Sequence, residues 1–128
     1  MKLLLDSCVF LWMIDDQNKI PHEIKQQILS PLNQVYLSSI SITEIIIKAK
    51  LKKLHIPKPH AEFLISQRQK AGLTALALQE NDLISLEKLP DIHHDPFDQL
   101  LICQAINNNM TIISPDLEIK KYSIHVIW

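Results

Sequence analysis

Apolar runs too short to be helices, most of them followed at once by a segment of helical periodicity, limit the possible folds of this chain more than any other feature. KLLLD (2–6), QVYLSS (34–39) and MTIIS (110–114) are apolar, β-branched or aromatic with little alternation, the pattern of strands buried on both faces. SCVFLWMI (7–14) and SITEIIIKAKLKKL (41–54) follow the first two with apolar residues at helical spacing, and IHVIW (124–128) reads as a last strand. Pro21 stands as the first helical residue of a surface helix over 21–30, whereas Pro57 and Pro59 break the chain before a helix over 60–72 with Gly72 as its C-terminal stop. LTALAL (73–78) and QENDLISLEKL (79–89) continue as strand and helix, and the segment from Pro96 to Asn108 is a further helix. Such alternation predicts a parallel sheet covered on both faces, within one domain spanning residues 1–128.

In open sheets of this kind, ligands sit beyond the carboxyl ends of the strands, where several loops converge. Composition narrows what they are. The single glycine, Gly72, excludes the glycine-rich phosphate loops of ATP, GTP and dinucleotide sites. Cys8 and Cys103 form neither a disulfide framework nor, with six scattered histidines, a zinc pattern, and read as small buried hydrophobes. A net charge of −1 gives no bulk attraction to polyanions, so any such contact must be local. No stretch reaches the ~20 apolar residues needed to cross a bilayer, and Asp6 interrupts the opening apolar run, which points to a cytoplasmic protein with no membrane association.

Acids stand just past several strands. Asp6 ends the first, Glu44 lies in the first turn after the second, Asp98 opens the late helix and Asp116 follows TIIS. Each has a structural explanation: Ser41-x-x-Glu44 has the form of a capping box, Asp98 falls at N3 behind Asp95 and Pro96, Ser114 can cap ahead of Pro115, and Asp6 can cap its own helix. Asp95 is assigned to its cap, because its place before proline explains it fully. Capping explains the other four singly but not their placement together, since Ser or Thr caps equally well without repulsion. Two carboxylates ~5 Å apart repel by roughly 3 kcal/mol at an effective dielectric near 20, so such a cluster takes up protons or binds cations. Oxygen-only donors suit Mg²⁺ or Mn²⁺, and hydrolysis of phosphodiesters follows from that chemistry.

LLLDSCVFLW (3–12), VYLSSISITEIIIKAKLKKL (35–54), HHDPFDQLLICQAI (93–106) and TIISPDLEIKKYSIHVIW (111–128) resemble the PIN-domain ribonucleases, in particular the VapC-type toxins of bacterial toxin-antitoxin pairs. The resemblance runs through the chain from end to end. It implies a three-layer α/β/α sandwich with a central parallel sheet, and a Mg²⁺- or Mn²⁺-dependent endoribonuclease whose metal-binding and catalytic residues are Asp6, Glu44, Asp98 and Asp116. It further implies a homodimer silenced by a cognate antitoxin. Ser7 stands where the family usually has Thr, Cys8 replaces a frequent His, and Ser114-Pro115 replaces a common Thr-Arg. The hydroxyls of Ser7 and Ser114 therefore remain as supports for the acids, while one arginine contact to phosphate is lost.

KAKLKKLH (48–55) is the densest basic stretch, and Lys48 and Lys52, read as one helical turn apart, are candidate RNA contacts; a solvated face with a Glu44–Lys48 pair explains them equally well. His93 and His94 can touch substrate, though loop histidines are more often merely exposed. Phe10, Trp12 and Trp128 read as core or dimer contacts, and segment 60–71 as core packing or part of an antitoxin groove. Two other functions compete with the ribonuclease. A phospho-acceptor receiver requires an acid pair after the first strand and an acceptor Asp at mid-chain, both missing here; a catalytically idle PIN-fold binding module has no use for all four acids.

Overall fold

The computed structural model describes residues 1–128. Five strands, β1 (Lys2–Leu5), β2 (Gln34–Ser38), β3 (Thr74–Leu76), β4 (Thr111–Ile113) and β5 (Val126–Ile127), form one all-parallel sheet in the order β3-β2-β1-β4-β5. The helices are α1 (Ser7–Asp15), α2 (His22–Leu29), α3 (Ser39–Lys50), α4 (His60–Lys70) and α5 (Pro96–Asn108). This is the three-layer arrangement expected from the strand and helix alternation.

Side-chain alternation along the strands divides the interior into two cores. Leu3 and Leu5 of β1, Val35 and Leu37 of β2 and Ile113 of β4 pack on one face with Val9 and Phe10 of α1, Ile45 of α3 and Leu64 of α4. Leu4 and Ile112 point the other way, against Leu101, Ile102 and Ala105 of α5. Burying each leucine or isoleucine contributes about 1.5–3 kcal/mol, which is why β1, with Leu3, Leu4 and Leu5 wholly enclosed, occupies the centre of the sheet. Trp12 and Trp128 meet in a tilted pair, 5.7 Å between ring centroids with 49° between the planes, and Lys19 Nζ lies 5.8 Å from the centroid of the Trp12 ring. No helix is long and apolar enough to cross a membrane.

Several local expectations change. Pro21 is the N-cap of α2 rather than its first helical residue. The helix expected over 79–89 is only a 3-10 turn at Glu80–Ile84, held by reciprocal bonds in which the Gln79 side chain meets the Asp82 amide and the Asp82 carboxylate accepts from the Gln79 amide. The strand at 73–78 narrows to three residues. Most consequential, α3 begins at Ser39 and stops at Lys50. Ser38 ends β2 and caps α3 at once, its hydroxyl accepting from the Ile40 amide, so Ser41 is not a cap and Glu44 lies in the second turn. Lys52 lies beyond the helix in left-handed backbone (φ 61°), and is not one turn along from Lys48. In α4, only Leu64 is fully buried; Phe63 packs partly on the core and Ile65 is exposed.

Candidate functional site

Strand order fixes where the acids go. The chain runs from β1 through β2 to β3 on one side of the sheet and then crosses from β3 to β4 and β5 on the other side of β1. The crevice at the carboxyl ends of the strands where the order reverses is where open sheets bind ligands. Asp6 follows the last residue of β1, Glu44 comes from α3 behind β2, and Asp116 lies three residues past β4. Asp98, in the first turn of α5, reaches the same place. All four line one cleft of about 260 Å³, together with Ser7, Cys8, Lys48 and Asp95. Asp6, Glu44 and Asp98 are 6–8% exposed, a burial that a free carboxylate resists.

Capping does not account for this. Asp6 precedes α1 but makes no side-chain cap; its Oδ2 instead accepts from the Ser114 hydroxyl at 2.6 Å and lies 3.7 Å from the Cys8 thiol. Glu44 accepts from the Ser7 hydroxyl at 2.8 Å and from Lys48 Nζ at 2.7 Å. Ser114 caps no helix, since only loop follows it as far as the short 3-10 turn at Ile119–Lys121; its Oγ accepts from the Asp116 amide at 3.0 Å while donating to Asp6. The two serines thus each hold an acid. Asp95 is the cap expected of it, one carboxylate oxygen accepting from the amides of Phe97 at 2.9 Å and Asp98 at 3.2 Å.

Asp98 is held by a network the sequence did not reveal. His93 Nε2 lies 3.2 Å from Asp98 Oδ2, and His93 Nδ1 lies 2.9 Å from the Tyr122 hydroxyl. In the neutral ring protonated at Nε2, Tyr122 donates to His93 and His93 donates to Asp98, which fixes both the tautomer and the carboxylate. Gln99 pins the loop further by donating to the His93 carbonyl at 2.9 Å. The His93 side chain is 16% exposed, whereas His94, 84% exposed and 3.4 Å from Asp91, is an ordinary surface residue. Only the position of His93 close before Asp95 hinted at this; Tyr122, 29 residues away, gave no signal.

Crowding marks the electrostatics. Burial pushes the Asp98 carboxyl up to about 7, reinforced by the charges of Asp6, Asp95 and Glu44 and opposed by the His93 hydrogen bond. Burial likewise raises Asp6, with Glu44 and Asp116 adding to the rise and the Ser114 hydroxyl and Ser7 amide opposing it. Cys8 is pushed up to about 12 by burial and by Asp6, so it stays a thiol. Lys48 is raised, chiefly by its hydrogen bond to Glu44, and remains an ammonium. Side-chain ligand atoms of His93, Asp98 and Asp116 lie within 4.8 Å of one another, a spacing able to receive one ion. With Asp6 and Glu44 in the same cleft, the donors are oxygens plus one imidazole, which suits a hard divalent cation.

Residues 3–124 match the PIN domain family. No curated protein matches the sequence. Among solved structures, the chain is similar to VapBC2 from Rickettsia felis bound to a DNA fragment from their promoter, at 18% identity and a TM-score of 0.73, covering 100% of this chain and 99% of that one. It is also similar to VapBC-1 from nontypeable Haemophilus influenzae, at 17% identity and a TM-score of 0.71, with 99% and 97% covered. FitAcB from Neisseria gonorrhoeae follows at 14% identity and a TM-score of 0.64, with 98% and 96% covered. At these identities the likeness is one of fold.

Proposed function

The chain belongs to the PIN-domain family, and on that premise we propose that it is a divalent-metal-dependent endoribonuclease, the toxin of a toxin-antitoxin pair. One observation carries the reading: four carboxylates from four separate segments meet in one cleft, with burial and mutual repulsion pushing Asp98 up to about 7. A site so costly without a cation is a site for one.

Asp6, Glu44, Asp98 and Asp116 would hold Mg²⁺ or Mn²⁺. When bound, such an ion neutralises the carboxylates and offsets the charge that develops on phosphate oxygens during hydrolysis. The chain's own residues do the rest. Ser7 and Ser114 orient Glu44 and Asp6 through their hydroxyls, and His93, backed by Tyr122, orients Asp98. Asp98, its carboxyl pushed up to about 7 by burial and by the neighbouring acids, would give up its proton on holding such an ion. Lys48 at the cleft wall, its side chain 46% exposed, balances Glu44 and offers an ammonium to an incoming phosphate.

The antitoxin partner is supported by the end-to-end likeness in fold to VapBC and FitAcB assemblies. A homodimer of single-domain chains, acting in the cytoplasm, completes the proposal. Its test is cleavage of total RNA by purified chain with Mg²⁺ or Mn²⁺, with chelator, and as Asp98→Asn. Cleavage only in the first condition is the result expected; equal behaviour in all three would end the nuclease reading and leave a binding module.

A further inference from the structure

The largest concavity on the molecule is not the acidic cleft. It is a groove of about 1020 Å³ between the end of α3 and the start of α4, rimmed by Lys50, Lys52, His55, Lys58 and His60 over a floor that includes Leu54 and Ile56. Leu54 also lines the acidic cleft, so the two spaces share a wall. From Ile45 to Ala61, between Glu44 and Glu62, the chain carries five lysines (48, 50, 52, 53 and 58) and no acid. In a chain of net charge −1 that is a local concentration of cation. Of the five, only Lys48 has a carboxylate partner within 4 Å; Lys50, Lys52, Lys53 and Lys58 have none.

Helix ends supply an independent observation. α3, α4 and α5 all close with the same pair of backbone bonds, the next-but-one amide reaching back across the last turn: Lys53 to the Lys48 carbonyl, Leu73 to Arg68, and Met110 to Ala105. Each closure needs one residue in left-handed backbone. At α4 it is Gly72 (φ 72°) and at α5 Asn109 (φ 55°), the two residue types that adopt this conformation most readily. At α3 it is Lys52 (φ 61°), where glycine would be less strained. A lysine at that position lines the groove at a conformational cost, and an ordinary solvated face gives no reason for one.

We propose that this groove binds the sugar-phosphate backbone of single-stranded RNA and leads it past Leu54 into the acidic cleft, with Lys50, Lys52 and Lys58 pairing with successive phosphates. The proposal rests on the nuclease reading above and names where its substrate lies. Unpaired cations, the absence of acid and the shared wall with the cleft favour nucleic acid over a protein segment as the occupant. Because the contacts are to phosphate, the groove adds affinity without base preference.

The test measures binding of a fluorescent oligouridylate of about twelve nucleotides to the cleavage-dead Asp98→Asn protein across a salt series. Added to that background, Lys52→Gly should weaken binding about threefold and reduce the salt slope by about 0.7, the value for one phosphate contact on a single strand. The same change should raise the melting temperature by about 2–4 °C, because glycine relieves the left-handed backbone. Loss of affinity in a more stable protein cannot come from misfolding. Lys50→Glu with Lys58→Glu should weaken binding tenfold or more, and in the active chain should raise KM on long RNA by a similar factor. If the active chain cleaves RNA but these variants leave Kd, salt slope and KM unchanged, the groove proposal falls and the nuclease reading stands. Unchanged RNA affinity with loss of the antitoxin complex would assign the groove to the protein partner and overturn the proposal. If the parent neither cuts nor binds RNA, both readings fall together.

Discussion

Asp98 occupies a position where stability and chemistry conflict. Its carboxyl rises from 3.8 to about 7 on folding, so the folded chain takes up a proton in that interval. The stabilisation this gives is complete below about pH 4 and is lost as pH rises through about 7; Asp6, also raised, adds in the same direction. The metal-free chain should therefore melt at progressively lower temperature from pH 5 to pH 8, and saturating Mg²⁺ should flatten the trend; a calorimetric series with and without the ion checks this. Asp98→Asn should raise the metal-free melting temperature at pH 8, while losing cleavage by a factor of about 100 or more and losing stabilisation by Mn²⁺. Removing the ring of His93 tests its support: His93→Ala should weaken Mn²⁺ binding about tenfold by titration calorimetry, with Tyr122→Phe falling between it and the parent. Asp6, Glu44, Asp98 and Asp116 were legible because acids just past apolar runs are costly wherever they converge. The partners of His93 were not, since contacts across 5 and 29 residues leave no periodic trace.

At the level of elements, two caps set the positions of two acids. Asp95 closes the start of α5 and so places Asp98; Asp95→Ala should cost about 1 kcal/mol in urea denaturation, whereas Asp95→Ser should stay close to the parent and still cleave RNA. The Asp95-Pro96 cap could be read directly because proline at N1 fixes the register. Glu44 could not be placed correctly, because Ser38, Ser39 and Ser41 all have capping side chains and only the end of β2 decides among them. Ser38 is taken because its hydroxyl also meets the buried Gln104 side chain of α5, tying α3 to the opposite layer. The missing helix at 79–89 has a similar origin: Asp82 is wholly buried, bonded to Asn107 of α5 at 2.7 Å, and that tertiary contact outweighs helical propensity.

For the molecule as a whole, the layered parallel architecture was legible, whereas the strand order and the contacts across it were not. Near-continuous apolar strands require cover on both faces, and the order β3-β2-β1-β4-β5 then places the ends of β1, β2 and β4 side by side. A cation bound there ties four segments of chain together and should stabilise them jointly, by about 2.7 kcal/mol at a hundred times its Kd, with chelator reversing the gain in a thermal melt. Ser114 reaches Asp6 across 108 residues of sequence, and Asp116 follows two residues later. During synthesis, then, the acids can converge only after β4 has been made and has paired with β1. Until that strand arrives, a growing chain carries Asp6 without the serine that holds it, and the cleft has one wall missing.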